Sequence, residues 1–252
     1  MSSRLTIIIL ICIIVGLMLL LRNKSERTNI VFLIRSFNRP EYLKDTLTSV
    51  LKSDIDLCFK RYIYDDGSSD PETLALLSNP LYINQPGKSF KVIQNRSNRG
   101  CRLSYVDALN YIKSDNSDNP DIEYIINTVD NDVEVKPNFI QTCIDEYYKA
   151  STYYEKDVLL TGFNPSNAHK NTIESLDTFY RKTSCGGVHF MFHRDLLDII
   201  INGWKINDDW GVNHECERLD IPICCLHRSI VNHIGQVGLY SDGERWDHDP
   251  NF

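Results

Sequence analysis

The 252-residue chain lacks several features that would assign it to a class at once. It has no Cys-x-x-Cys pair, so neither a zinc ribbon nor a thioredoxin-like redox motif is indicated. It has no excess of basic residues, since the net charge is −7 and the pI about 5.5, the opposite of what phosphate contacts with nucleic acid require. It has no internal repeat and no low-complexity tract, and 42% of its residues are hydrophobic, which excludes fibrous and disordered proteins.

A long apolar run stands near the N-terminus. Residues 5–21 carry no charged side chain, and a helix of this length spans ~25 Å, enough for a thin bilayer. Arg22 and Lys24 follow the run, where a cleaved signal peptide would have a small-residue cleavage site. We therefore expect a short tail (1–4), a retained transmembrane signal-anchor (5–21), a stem (22–29) and a folded domain (30–252).

Predicted strands and helices alternate through the folded domain. The apolar run Ile30–Ile34 is typical of a strand buried on both faces of a sheet, and Tyr124–Val129 is predicted as a further strand. Helical patterns stand between such runs, for example those that begin at Pro40 and Pro137. This alternation predicts an α/β domain, an αβα sandwich with a mainly parallel sheet.

Acidic and amide side chains follow three of the predicted strands. They are Asp65 with Asp66, Asn95, and Asp130 to Asp132. In open α/β sheets the carboxyl ends of the strands form the binding crevice, so we expect these groups to share one site. Asp130 and Asp132 stand two residues apart, so that extended backbone can aim both carboxylates at one divalent cation and its diphosphate ligand. A solvated acidic turn is the alternative interpretation.

Four motifs, in this order and at this spacing, resemble the GT-A glycosyltransferases of the family-2 type, which use nucleotide sugars. They are Ser36–Leu43, Asp65–Asp70, Asn95–Asn110 and Asp130–Asp132. Residues 130–139 also resemble, less closely, the metal loop of N-acetylglucosaminyltransferase I and its relatives. The resemblance implies the GT-A (Rossmann-like) fold, with a nucleotide-binding half at 30–135 and an acceptor and catalytic half at 136–252.

The resemblance also implies roles for individual residues. Mn²⁺, or Mg²⁺, would be ligated by Asp132, with Asp130 beside it and His233 as a candidate third ligand, although His233 is equally compatible with an ordinary structural histidine. Asp209, and after it Asp208, would be the general base that deprotonates the acceptor hydroxyl. The nucleotide sugar would contact Ser36, Asn38, Arg39, Asp65, Asp66, Asn98, Arg102, Asp130, Asn131, Gly186 and Gly187. Within that set, Asp66 is preferred to Asp65 as the partner of the uracil N–H.

The activity so implied is metal-dependent transfer of a hexosyl or N-acetylhexosaminyl group from a nucleotide sugar, with a UDP-sugar favoured, to an acceptor hydroxyl. The acceptor would be a glycan, a protein or a lipid, and the reaction would invert the configuration at the anomeric carbon. No nucleic-acid partner is expected. Two alternatives stay open. One is a catalytically silent, membrane-tethered binding protein on the same fold. The other is a phosphatase of the haloacid dehalogenase type, although its D-x-D motif normally lies on the first strand.

The resemblance to Golgi transferases implies a domain in the lumen of the Golgi or endoplasmic reticulum, tethered by its N-terminal helix. Sequons at Asn23 and Asn95 agree with a lumenal domain. The basic residues that follow the apolar run favour the opposite orientation, with the domain in the cytosol. We keep the lumenal orientation as the expectation.

Overall fold

The computed structural model describes residues 29–117, 123–165, 169, 171–236, 248–249 and 252. The predicted tail and anchor, and the predicted stem as far as residue 28, lie outside the described residues. Within the described ranges, no helix combines the length and the hydropathy that a membrane crossing requires.

Eleven strands are described, nine of them in one sheet. Their bounds are β1 (Asn29–Ser36), β2 (Lys60–Asp65), β3 (Lys91–Gln94), β4 (Tyr124–Val129), β5 (Val133–Val135), β6 (Leu159–Thr161), β7 (Thr172–Ser175), β8 (Phe179–Lys182), β9 (His189–His193), β10 (Ile223–Leu226) and β11 (Val231–His233). The large sheet has the order β3-β2-β1-β4-β9-β6-β10-β8-β7, and β11 pairs with β5 in a separate small sheet. Within the large sheet, β8 and β9 run against all the other strands, so the prediction of a mainly parallel sheet is confirmed.

Among the described residues, six α-helices connect the strands. They are α1 (Pro40–Lys52), α2 (Pro71–Ser78), α3 (Pro80–Ile83), α4 (Gly100–Asp115), α5 (Phe139–Tyr154) and α6 (Leu197–Arg218), with 3-10 turns at Ile55–Leu57 and Arg194–Leu196. The first three begin with proline, whose fixed φ suits a first helical turn. At the start of α2 the Asp70 side chain also accepts a hydrogen bond from the Thr73 N–H, 2.8 Å away.

The helices lie on both faces of the large sheet. Alternate residues of β1 point to opposite layers, so Ile30 and Phe32 pack against one group of helices and Val31 against the other. The first layer includes Leu47 of α1 and Ile140 of α5, and the second includes Leu109 of α4 and Ile200 of α6. Burial of both faces is the reason for the unbroken apolar run, and it confirms the αβα sandwich.

Two features that position the site go beyond the predicted elements. The small sheet aligns His233 of β11 with Val133 of β5, which directly follows Asp132. The last helix, α6, runs from Leu197 to Arg218, with an interruption at Asn207 and Asp208. Both features depend on tertiary contacts, because three-residue strands and a broken helix have no clear hydrophobic period.

Candidate active site

The predicted ligand residues lie at one edge of the sheet. Ser36 at the end of β1 is in register with Asp65 at the end of β2, and Ile34 of β1 is in register with Val129 at the end of β4. Strand β9 runs the other way, so its first residue, His189, pairs with Val129. Gly186 and Gly187, which precede β9, therefore reach the same edge as Asp130 and Asp132.

The two acids after β2 are held by different partners. Asp65 is fully buried and accepts hydrogen bonds from the Ser68 N–H (2.9 Å) and from the Gln94 amide (3.1 Å). Asp66 accepts from the backbone N–H groups of Arg99 (3.0 Å) and Gly100 (2.9 Å). Asp65 thus closes its own turn, whereas Asp66 connects that turn to the start of α4.

Gly67 makes this junction possible. Its φ is +70°, and a Cβ at this position would lie 2.6 Å from the backbone carbon of Ser97. A side chain would therefore both strain the backbone and separate the two loops. Asn98 lies in the second loop, where its Oδ1 accepts from the Gly100 N–H at 2.6 Å.

The loop after β1 interlocks with the loop after β2. The Asn38 Oδ1 accepts from the backbone N–H groups of Ser69 (3.0 Å) and Asp70 (3.1 Å), and Asn38 itself has a left-handed φ of 48°. Asn131 donates to the Asn38 carbonyl at 3.2 Å, so the loop after β4 joins the same arrangement. Within the described part of the chain, the buried Ser36 hydroxyl has no hydrogen-bond partner, which makes it available to a ligand.

Asp132 and His233 come together beside a glycine. The His233 Nε2 lies 3.1 Å from the Asp132 Oδ2, and the Arg39 Nη1 lies 2.7 Å from the same oxygen. A Cβ at Gly235 would stand 2.1 Å from that oxygen and 2.8 Å from the His233 Nε2, so glycine keeps the space beside both groups open. A carboxylate oxygen and an imidazole nitrogen are donors that Mn²⁺ accepts, so this part of the site fits a divalent cation.

Electrostatics keep Asp132 ionised. Burial alone would raise the pKa of its carboxyl, but the hydrogen bond from His233 and the charge of Arg39 outweigh burial and hold the pKa below its ordinary value. An ionised carboxylate is the form that binds a cation.

Asp130 takes a different partner from Asp132. It forms a salt bridge with Arg35 of β1, a buried guanidinium that also donates to the Gly187 carbonyl at 2.9 Å. Arg35 lies against the rings of Tyr105 (4.2 Å to the centroid) and Trp204 (4.9 Å). Sequence reasoning missed Arg35, although a single charge inside the apolar run of β1 was the available signal.

The two neighbouring acids of α6, Asp208 in its interruption and Asp209 directly after it, also have different partners. Asp208 has a φ of 50° and pairs with Arg102 of α4, with its Oδ1 2.9 Å from the Arg102 Nε. The Asp209 Oδ2 accepts from the Gly187 N–H at 3.0 Å, and its Oδ1 accepts from the Trp210 N–H at 2.8 Å. Burial raises the pKa of the Asp209 carboxyl, and the hydrogen bond from Gly187 offsets part of that rise.

A cavity of about 420 Å³ lies beside Trp210, and its lining residue His169 has its Nε2 4.0 Å from the Asp209 Oδ2. Its walls include Trp210, His169, His214 and Glu217. The Trp210 side chain is about half exposed, and its ring lies 4.9 Å from that of His169. An exposed aromatic face among polar groups is suited to a sugar ring.

Among the described residues, three metal-ligating side chains have ligand atoms within 4.8 Å of one another, and they belong to Asp157, His193 and Asp195. His193 pairs with Ile125, near the start of β4, whereas Asp130 follows the end of that strand. At ~3.3 Å per residue, the five residues from 125 to 130 span about 16 Å. This cluster therefore lies at the opposite edge of the sheet and is not part of the candidate active site.

The structure defines an α/β protein whose polar residues gather at the carboxyl ends of its parallel strands, and the sequence specifies its family. Residues 32–199 match the model of glycosyl transferase family 2, which is 168 of the 252 residues, and the chain belongs to this family. The predicted family and the GT-A fold are thereby confirmed, and the haloacid dehalogenase alternative has no support.

Solved structures of glycosyltransferases share the fold. GalNAc-T7 with UDP, GalNAc and Mn²⁺ superposes with a TM-score of 0.59 at 14% identity, over 81% of this chain and 43% of that one. TarS of S. aureus superposes with a TM-score of 0.57 at 18% identity, over 81% of this chain and 36% of that one. TarS 1–349 in complex with UDP superposes with a TM-score of 0.56 at 17% identity, over 81% of this chain and 60% of that one. The chain thus spans less than two thirds of the length of each of these structures. Among curated proteins, none is significantly similar in sequence.

Proposed function

We propose that the protein transfers a sugar from a nucleotide sugar, with a UDP-sugar preferred, to an acceptor hydroxyl. The observation that carries this proposal is the arrangement at one sheet edge. There, the Asp132 Oδ2 and the His233 Nε2 lie 3.1 Å apart, and Asp209 is bound to the Gly187 backbone before β9. Family membership supports glycosyl transfer, and the UDP in two of the similar structures supports the choice of nucleotide.

The donor half of the proposal assigns the nucleoside to the interlocked loops after β1 and β2. The unpartnered Ser36 hydroxyl and the Asp66 carboxylate lie there, the latter already oriented by the Arg99 and Gly100 N–H groups. Asn38 and Asn98 fix these loops, and Arg102 of α4 supplies positive charge for the diphosphate.

A divalent cation, Mn²⁺ or Mg²⁺, belongs to the proposed mechanism. Asp132 and His233 would hold it, and Arg39 would share the Asp132 oxygen that it now contacts. When bound, the cation neutralises the charge that develops on the leaving diphosphate. The Mn²⁺ in the GalNAc-T7 structure supports the choice of metal. Asp130 is held by Arg35, and we assign it a contact to the ribose or to a water beside the cation.

Asp209 is the proposed general base. Burial raises its pKa, so the carboxylate is a stronger base than an exposed aspartate, and the Gly187 and Trp210 N–H groups fix its orientation. Removal of the proton from an acceptor hydroxyl lets that oxygen attack the anomeric carbon opposite the departing diphosphate, which inverts the configuration. The cavity beside Trp210 is the proposed place of the acceptor, and its aromatic wall supports an acceptor with a sugar ring.

The anchor and the lumenal location also remain proposals, supported by the sequence of residues 5–21 and by the sequons at Asn23 and Asn95. Expression in animal cells followed by endoglycosidase treatment tests the orientation. A mobility shift that disappears with Asn23→Gln and Asn95→Gln together supports a lumenal domain. The absence of any mobility shift, together with protease cleavage from the cytosolic side of sealed microsomes, contradicts it.

The activity is tested with the full chain against UDP-, GDP- and CDP-sugars, with and without Mn²⁺. We expect UDP binding and slow UDP-sugar hydrolysis that depend on Mn²⁺. Asp132→Ala should abolish both while the thermal unfolding stays cooperative, whereas Asp145→Ala, which removes an exposed carboxylate from α5, should change neither. If Asp132→Ala binds UDP and Mn²⁺ like the parent protein, the metal assignment is wrong.

A further inference from the structure

The cluster at the opposite edge of the sheet joins three separate parts of the chain. Asp157 precedes β6, His193 ends β9, and Asp195 lies in the 3-10 turn that leads into α6. The His193 Nδ1 lies 3.6 Å from the Asp157 Oδ2 and 3.5 Å from the Asp195 Oδ2. Two carboxylate oxygens from different elements therefore face one imidazole nitrogen.

These distances differ from those of direct hydrogen bonds. An N–H···O bond spans about 2.7–3.2 Å between heavy atoms, and both contacts are longer. Ligands that each lie about 2.0–2.1 Å from a tetrahedral zinc ion are about 3.3–3.4 Å apart. The two distances around the His193 Nδ1 are thus close to the edges of a tetrahedral site, and all three ligand atoms lie within 4.8 Å of one another.

The remaining polar atoms of the cluster have partners of their own. The His193 Nε2 lies 2.8 Å from the Glu123 Oε2, the arrangement in which a carboxylate orients a metal-bound histidine and leaves its other nitrogen to the metal. The other oxygen of Asp157 accepts from the Tyr147 hydroxyl at 3.1 Å, and the other oxygen of Asp195 lies 4.0 Å from the Arg194 Nε. Each carboxylate therefore directs one oxygen, Oδ2, at the histidine nitrogen.

The Asp195 N–H also approaches the His193 Nδ1, at 3.4 Å. Two carboxylate oxygens and this N–H thus converge on the His193 Nδ1. The carboxylates repel each other unless Nδ1 carries a proton or a cation lies between the three ligand atoms, and a metal ion on Nδ1 would displace the backbone contact. A hydrogen bond of this length is weak and readily replaced.

We propose that Asp157, His193 and Asp195 bind a zinc ion, with water completing a tetrahedral site, and that this site is structural and separate from the catalytic metal. One nitrogen and two carboxylate oxygens form a donor set that zinc accepts. The ion connects the segment before β6, the end of β9 and the start of α6. Because it binds the folded chain, it raises the unfolding temperature in proportion to the logarithm of the free zinc concentration.

The test uses the full chain carrying Asp132→Asn and His233→Ala, so that the proposed catalytic metal ligands are absent. Zinc titration by calorimetry should give a binding step that His193→Gln or Asp195→Asn removes, and the zinc-dependent rise in unfolding temperature should disappear with it. Glu123→Gln should weaken zinc about tenfold, since it alters only the orientation of the histidine. Asp198→Asn is the matched control, because it removes an exposed carboxylate three residues away that pairs with Lys113.

Folding of the variants is checked without metal. The Asp195 side chain is 71% exposed, so Asp195→Asn should leave the metal-free unfolding temperature unchanged. Cobalt in place of zinc provides a second measurement. Co²⁺ bound in a tetrahedral site gives visible absorption bands, and these bands should vanish with His193→Gln. Equal zinc binding in all variants, or a parent chain that zinc does not stabilise, would show that the cluster is a surface ion-pair network and would overturn the proposal. UDP binding is measured separately in the single variant Asp195→Asn, which keeps Asp132. Failure of the zinc proposal can thus be distinguished from failure of the proposed function.

Discussion

Arg35 and Asp209 bind opposite sides of one residue, Gly187. The Arg35 Nη2 donates to the Gly187 carbonyl at 2.9 Å, and the Gly187 N–H donates to the Asp209 Oδ2 at 3.0 Å. Arg35 also pairs with Asp130, so a continuous set of contacts runs from the end of β4 to the proposed base. A Cβ at Gly187 would lie 2.5 Å from the Trp204 ring, so the residue has to be a glycine.

Loss of Arg35 should therefore affect both stability and catalysis. Arg35→Met leaves the half-buried Asp130 without its partner, and loss of one side of such a pair should lower the free energy of unfolding by about 2 kcal/mol. Arg35→Lys keeps the charge but cannot reach Asp130 and the Gly187 carbonyl with the same planar geometry. We expect Arg35→Lys to retain most of the stability while kcat falls with little change in donor affinity. Urea unfolding and steady-state kinetics measure the two effects, and an unchanged kcat for Arg35→Lys would contradict the link to Asp209.

Asp209→Asn should separate binding from chemistry. The amide preserves the shape of the side chain but cannot accept the proton of the acceptor hydroxyl, and a positioned base contributes about 10² to 10⁴ in rate. We expect UDP affinity by calorimetry to stay near that of the parent while kcat falls within this range. Asp208→Asn is the comparison, because Asp208 pairs with Arg102, so its loss should change donor affinity more than kcat. Full transfer activity in Asp209→Asn would assign the base elsewhere.

Those parts of the fold that bury continuous apolar runs were predictable. β1 contains such a run and β4 is largely apolar, and turn residues mark the ends of both strands, so sequence alone predicted the sheet edge that collects Asp65, Asp66, Asp130 and Asp132. The short strands β7, β8 and β10 were not predicted, because three or four residues do not establish a period of two and their pairing is long-range.

The site was predictable where its residues are local in sequence. The proximity of Asp132 to His233 depends on the pairing of β5 with β11, across about a hundred residues, and no local pattern encodes it. The cluster of Asp157, His193 and Asp195 is likewise assembled from separate segments. Arg35 was not predicted as a site residue. A charged side chain in a buried strand requires a partner of opposite charge, and Asp130 is that partner.

Trp210 should control acceptor affinity. Its exposed ring forms a wall of the cavity that His169 also lines, where stacking on a sugar would be lost with Trp210→Ala. We expect the KM for the acceptor to rise about tenfold, the equivalent of about 1.4 kcal/mol. Slow hydrolysis of the donor, which needs no acceptor, should be unchanged. Trp210→Phe should retain part of the affinity, and equal acceptor KM values in the three proteins would exclude this wall of the cavity from the acceptor site.

His189 should make the protein less stable in mild acid. Its ring is fully buried, its Nδ1 accepts from the Gly162 N–H at 2.8 Å, and its Nε2 lies 3.2 Å from the Asn127 Oδ1. Burial lowers the pKa of His189 from 6.5 to about 3. Between those two pH values the unfolded chain takes up a proton that the folded chain excludes.

The free energy of unfolding should therefore decline as the pH falls below 6.5, by up to about 1.4 kcal/mol per pH unit from this group alone, until the pH approaches 3. Urea unfolding at pH 7, 6 and 5 measures the slope. His189→Gln removes the titrating group and keeps an amide for the same two partners. Its free energy of unfolding at pH 7 should be lower than that of the parent protein and should change less with pH. His227→Gln is the matched control, because it makes the same substitution at a histidine elsewhere in the fold, which lies against the Tyr180 ring. A slope that His189→Gln leaves unchanged would mean that other groups produce the acid sensitivity.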